Sequence, residues 1–177
     1  GLDGGAFARV ARSVETRTNS TAQSRARHLY RHHGGEPHRR IVGREVPRIE
    51  LGTSVVPTYP RHPHAIAQQC HTVAAASGNR LTLGIGLSHK IVIENMLGMS
   101  YDKPVRHLRE YLSILGSLSR GETAHFDGDT YSVHARVDAK GSTGFGVVVA
   151  ALGEQMLRVT AAMADGTLTW CTGPSTL

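Results

Sequence analysis

The sequence predicts an α/β fold built on a parallel sheet, and three observations carry that reading. The stretch from Arg48 to His89 has the order strand, loop, helix, strand with every boundary marked. The same order recurs twice further on, and the patterned region follows a basic segment of quite different composition. Strand and helix alternating in this way build parallel sheets, which carry their chemistry at the carboxyl ends of the strands.

The first strand is read from Ile49, Leu51, Thr53 and Val55, which alternate on one face before Val56 and Pro57 end it. A polar bend through Thr58, Tyr59 and Pro60 leads to Pro63, placed at a first helical position where its missing N–H costs nothing. Ile66, Cys70, Val73 and Ala74 recur at helical spacing, His62 stands at the helix start, and Ser77-Gly78-Asn79 supplies a left-handed stop. Leu81 to Ile85 is the second strand.

The next helix opens at Pro104 and carries Val105, Leu108, Leu112 and Leu115 in one apolar stripe, with Gly116 and Gly121 near its end. Arg106, Arg109 and Glu110 fall on its solvated side, and Arg106 with Glu110 fits an i, i+4 ion pair. Asp127-Gly128 centres a hairpin, expected near 124–133 on the rim, and His134 to Gly146 reads as loop. Val147 to Ala151 is a continuous apolar run that suits a strand buried on both faces. Gly153 then opens a helix with Met156, Leu157, Ala161 and Ala164, Asp165-Gly166 closes it, and Thr167 to Cys171 is the last strand.

Charge is distributed unevenly. Residues 1–48 hold ten arginines against Asp3, Glu15, Glu36 and Glu45, a net +6 that equals the formal charge of the whole chain. Residues 1–46 lack apolar periodicity and are expected to form a disordered or non-native arm, with the folded unit over 47–177. Three readings fit the arm: a binder of nucleic acid or another polyanion, a solvated tail, or a stretch not native to the fold, such as one read out of frame beside a truncated barrel. Against the first, little aromatic character is interleaved and no nucleic-acid module follows.

His28, His32, His33 and His38 have no carboxylate or cysteine at ligand spacing, so no metal site is assigned. Cys70 and Cys171 read as reduced core residues, and no run of about 18 apolar residues is present. The expected setting is cytoplasmic, without membrane.

Three ordered blocks carry a resemblance: LGTSVVPTYPRHPHAIAQQ, TLGIGLSHKIVIENMLGMSYDKPVRHLREYLSIL and VVVAALGEQMLRVTAAMADGTLTWCTGP. Together they resemble the bacterial luciferase-like superfamily, and within it the oxidoreductases that use the deazaflavin coenzyme F-420. The resemblance spans about Val46 to Leu177 and implies an incomplete (β/α)8 TIM barrel of about four central strand-helix units.

The resemblance also implies a site. Its coenzyme would be F-420, or FMN as the alternative, and its reaction a hydride transfer to or from a small organic substrate. Ser54–Val55 matches a cis peptide bond behind the flavin ring. Gly84 and Gly86 would lie beside the ring and His89 would give or take a proton. Ala150, Ala151 and Gly153 match a turn that holds the coenzyme phosphate on backbone amides, and Trp170, Thr172 and Gly173 end the last strand at its rim. Glu154 stands where many relatives have proline, and a carboxylate there opposes an anionic coenzyme. Because four strands cannot close a barrel, open sheet edges would favour pairing with another copy, and an inactive barrel fragment is the competing reading.

Overall fold

The computed structural model describes residues 43–46 and 48–169. The expected arm therefore lies almost wholly outside the described residues, as do Trp170, Cys171, Thr172 and Gly173. Its last residues, 43–46, dock on the fold: the Gly43 and Val46 carbonyls accept hydrogen bonds from the Arg80 guanidinium at 2.7 and 3.2 Å.

One parallel sheet holds β1 (Leu51–Gly52), β2 (Val56–Pro57), β3 (Leu81–Gly86), β6 (Gly146–Ala150) and β7 (Gly166–Leu168). Both β1 and β2 pair with β3, so they are two halves of one strand, and the order across the sheet is then β3, β6 and β7. The helices α1 (Pro63–Ala76), α2 (Pro104–Ser119) and α3 (Glu154–Met163) connect these strands, and an antiparallel hairpin, β4 (Ala124–Asp127) with β5 (Ser132–Ala135), follows α2. The arrangement is an incomplete arc of a (β/α) barrel with four strand positions.

The helix boundaries follow local chemistry. Pro63 opens α1, and His62 caps it by accepting the His64 N–H on Nδ1 at 3.3 Å. Gly78 and Asn79 end it at φ 66° and 60°, the left-handed pair that releases the chain toward β3. Pro104 opens α2, and Leu108, Ile114, Leu115 and Leu118 are fully buried against the sheet and α1. Burial of each such side chain contributes about 1.5–3 kcal/mol. Asp165 stitches the end of α3 to β6 by exchanging hydrogen bonds with the Val147 backbone, accepting at 2.7 Å and donating at 2.8 Å.

The first strand departs from its expected alternation. Gly52 pairs with Thr82 but Val56 pairs with Ile85, so the chain advances four residues against three. That extra residue is a bulge at Thr53–Val55, and past it the sides exchange: Leu51 and Val56 join the core under the helices, whereas Val55 comes up against Gly86. Val56 and Pro57 accordingly continue the strand instead of ending it.

The sixth strand also differs from expectation. Val147, Val149 and Ala151 are buried, but Gly146, Val148 and Ala150 are only half-buried, because the helices cover one face alone. His134 and Ala135 belong to β5, so the loop begins at Arg136. Glu110 corrects a third expectation: it is buried rather than solvated, and Arg106 pairs with Asp129 of the hairpin, not with Glu110.

Candidate functional site

All the pairings within the main sheet are parallel, so the ends of β2, β3, β6 and β7 share one rim. The bulge lies just below it. At its centre, the buried Thr53 hydroxyl donates to the Gly84 carbonyl at 2.5 Å and accepts the Gly84 N–H at 2.6 Å. One hydroxyl thus replaces the ladder partners that the bulge takes from Gly84. The next peptide bond, Ser54–Val55, is cis, matching the bond singled out by the resemblance.

The two glycines of β3 are required by this packing. A Cβ on Gly84 would stand 1.9 Å from the Thr53 carbonyl oxygen. A Cβ on Gly86 would stand 2.9 Å from Val55 Cγ2 and 3.3 Å from Ala150 Cβ. Gly86 is itself buried, its Cβ space taken by the Val55 and Ala150 side chains, so the three form a close-packed patch of small apolar groups on the open face beside the rim. A larger residue than glycine at position 86 would lift Val55 or Ala150 out of this packing.

The other site residues expected from the sequence divide between rim and core. Ser54 is exposed on the bulge, and His89 is exposed on the loop that leaves β3. Gly153 is the cap residue of α3 with no side chain capping the helix, so the first amides of α3 face the rim unshielded by a cap. Ala151 is different: its side chain is buried in the core under the helices, which leaves only its backbone for the site. Glu154 is turned aside to Arg158, which it meets at 2.6 Å, so its carboxylate is partly neutralised within its own helix.

The sequence reading missed an aromatic layer behind the rim. Tyr59 stacks on His107 with ring centres 4.0 Å apart and planes 1° from parallel, and Tyr101 stacks on the same tyrosine at 5.1 Å. Tyr111 and Tyr131 complete the group, 5.9 Å apart edge to face. Four of the five tyrosines in the chain gather here, a scarcity of aromatic residues that was the available signal. The layer is anchored to the strand tips: His107 Nε2 and Thr58 Oγ1 are hydrogen-bonded at 2.9 Å, and the Thr58 N–H donates to the Gly86 carbonyl at 3.0 Å. Tyr101 donates to the Ser88 carbonyl at 3.3 Å and Tyr111 to the Arg61 carbonyl at 3.0 Å. The Tyr59 hydroxyl is buried without a hydrogen-bond partner among the described residues.

Burial sets the ionisation of this layer. It pushes the Tyr131 phenol up to about 12 and raises Tyr59 and Tyr111 as well, so all three are neutral at physiological pH. It pushes the His107 imidazole down to about 4, overriding the opposing influence of Glu110. Folded His107 thus binds fewer protons than the unfolded chain below the ordinary value of 6.5. The stability this contributes is complete above that pH and is lost progressively as pH falls toward 4. Urea midpoints measured from pH 7 to pH 4.5 should fall more steeply for the native chain than for His107→Phe, which keeps the stack and removes the titration; equal slopes would refute the assignment.

A cleft of about 360 Å³ lies elsewhere, at the amino-terminal ends of β3 and β6, beside Arg80, Thr82 and Gly146. The Arg80 guanidinium is already committed to the carbonyls of Gly43, Val46, Ile49 and Ser77, so this charge serves the fold. Strand ends of the opposite polarity carry the chemistry in parallel sheets, which favours the rim over the cleft. No group of three or more metal-ligating side chains is placed to hold an ion among the described residues, and none of their helices is long and apolar enough to cross a membrane.

The sequence pattern that defines the luciferase-like monooxygenases matches residues 42–176. The chain belongs to that family. The 5,10-methylenetetrahydromethanopterin reductase of Archaeoglobus fulgidus is 30% identical over 129 residues, which cover 72% of this chain and 38% of the relative. The F-420-dependent glucose-6-phosphate dehydrogenase of Microbacterium testaceum is 30% identical over 133 residues, covering 72% and 39%. The chain thus spans about two fifths of the length of these family members.

Solved structures agree on the fold. The coenzyme F-420-dependent tetrahydromethanopterin reductase of Methanopyrus kandleri superposes with a TM-score of 0.63 at 21% identity, over 76% of this chain and 43% of that one. EDTA monooxygenase from Chelativorans sp. BNC1 superposes with a TM-score of 0.66 at 15% identity, over 78% and 39%.

Proposed function

We propose that this chain carries the coenzyme face of an oxidoreductase that moves a hydride between the deazaflavin coenzyme F-420 and a small organic substrate. The observation that carries the reading is the Val55–Gly86–Ala150 patch, a low surface of small apolar side chains closed over Gly86 beside a bulge at the carboxyl rim. The residues present fit a flat, ring-bearing coenzyme. Gly86 lets Val55 and Ala150 pack low enough to underlie a ring, the bulge at Ser54–Val55 lies beside it, and the amides that open α3 after Gly153 suit a phosphate, with Glu154 drawn off by Arg158. The name of the F-420-dependent glucose-6-phosphate dehydrogenase relative supports the choice of coenzyme.

When bound, the coenzyme supplies the hydride chemistry; the protein supplies position and exclusion of water. In this reading Val55 and Ala150 flank the ring and the Ala151 backbone belongs to the phosphate turn. His89, on the rim loop, is the imidazole available to hold or release a proton. The helical turn that follows this loop, Val92–Met96, and the residues at its ends expose Ile91, Met96, Leu97 and Met99, an apolar surface next to the rim that suits an organic substrate.

Titration of the full chain with oxidised F-420, followed by absorbance and by thermal midpoint, tests the reading. Saturable binding with a raised midpoint is expected, and FMN run in parallel distinguishes the two coenzymes. Gly86→Val puts branched bulk between Val55 and Ala150 and should weaken binding by about tenfold or more, a loss of roughly 1.4 kcal/mol. Absence of saturable binding to either coenzyme would refute the proposal.

A further inference from the structure

We infer that Glu110 is a positioning residue: by holding the turn of the β4–β5 hairpin it fixes the aromatic layer that locks the tips of β2 and β3, and so sets the patch at Val55 and Gly86. The part concerning coenzyme rests on the function proposed above. The Glu110 carboxylate is buried, 7% exposed, and accepts three consecutive backbone N–H groups, from Asp129 at 3.1 Å, Thr130 at 2.8 Å and Tyr131 at 3.2 Å. Successive amides aimed at one point form an anion-binding concavity, and here the anion is internal. Gly128 permits the approach, because a Cβ there would stand 2.7 Å from Glu110 Oε2.

Burying a carboxylate is costly unless hydrogen bonds replace its water, so three amides held in one geometry also fix the hairpin relative to α2. The exposed Arg106–Asp129 ion pair adds little by comparison. From the turn, Tyr131 reaches the layer: its ring lies 5.8 Å from His107 and 5.9 Å from Tyr111. His107 holds Thr58, and Thr58 holds Gly86. Every link from the carboxylate to the patch is therefore a direct contact.

Two variants of the full chain, Glu110→Gln and Tyr131→Leu, separate positioning from simple hairpin stability. The readouts are amide hydrogen exchange at 129–131, exchange at the Thr58 amide, and F-420 affinity. Glu110→Gln should speed exchange at all four amides and weaken F-420 binding by roughly three- to thirtyfold. Tyr131→Leu should leave 129 and 130 protected by Glu110 yet speed exchange at Thr58 and weaken binding to a similar extent. If only the hairpin amides respond, with Thr58 exchange and affinity as in the native chain, the inference is overturned. Should Glu110→Gln fail to fold, Tyr131→Leu decides alone by the same two readouts. Should the native chain bind no F-420, the coenzyme reading fails, and Thr58 exchange still decides: faster in the variants supports the link, unchanged refutes it.

Discussion

Gly84→Ala is expected to be the most destabilising single methyl that can be added to this sheet. The new Cβ would meet the Thr53 carbonyl oxygen at 1.9 Å and its carbon at 3.0 Å, both backbone atoms, with Leu168 Cδ1 also at 3.0 Å. A side chain in the way can rotate; a strand held by its neighbours cannot. Relief therefore requires β3 to separate from the bulge, which breaks both hydrogen bonds between Gly84 and Thr53. Overpacking alone costs about 1–3 kcal/mol, and with those bonds lost the total should exceed about 3 kcal/mol. Gly86→Ala is the internal control, since its Cβ meets the Val55 and Ala150 side chains at 2.9 and 3.3 Å, and the Val55 methyl can shift. Urea unfolding should rank native above Gly86→Ala above Gly84→Ala. Equal midpoints for the two glycine variants would mean that the strands are not clamped at Thr53.

Whatever depends on residues close in sequence was legible from it. Pro63, Pro104 and Gly153 mark helix starts because each acts through its own backbone, and Gly78-Asn79 marks a stop for the same reason. The hairpin at Asp127-Gly128 was visible likewise. The bulge was not: alternation through Leu51, Thr53 and Val55 looks the same with or without an extra residue, and only pairing to β3 reveals that the chain has changed sides.

Glu110 shows the same limit from another direction. On its helix alone it is a polar residue four after Arg106, and the solvated ion pair is the natural reading. Its burial comes from a hairpin turn about twenty positions later that folds back over α2. The aromatic layer likewise joins Tyr59, Tyr101 and Tyr131 across three connections, a grouping made by tertiary structure and not by any local period. The strand tips to which the resemblance pointed were therefore legible as elements, while the framework behind them required coordinates.

Thr53→Val should be nearly as damaging as Gly84→Ala, for a different reason. Valine has almost the same shape, so no cavity forms and no clash arises; only the hydroxyl is lost. That hydroxyl serves both the N–H and the carbonyl of Gly84, and Gly84 is itself buried. Each buried polar group left without a partner costs about 1–3 kcal/mol, so the pair sets an expected loss of roughly 2–6 kcal/mol. Thr53→Ser keeps the oxygen and gives up one methyl, and should recover most of the stability. The order native, Ser, Val in urea midpoint is the signature of a hydroxyl that stands in for a strand ladder. If valine proves as stable as threonine, the bulge has another way to satisfy Gly84, and the clamp that shapes the Val55–Gly86 patch does not depend on Thr53. If serine recovers stability and valine does not, a single oxygen joins the first strand to the second at the level where the coenzyme is proposed to bind. The patch would then owe its flatness to a hydrogen bond made just beneath it.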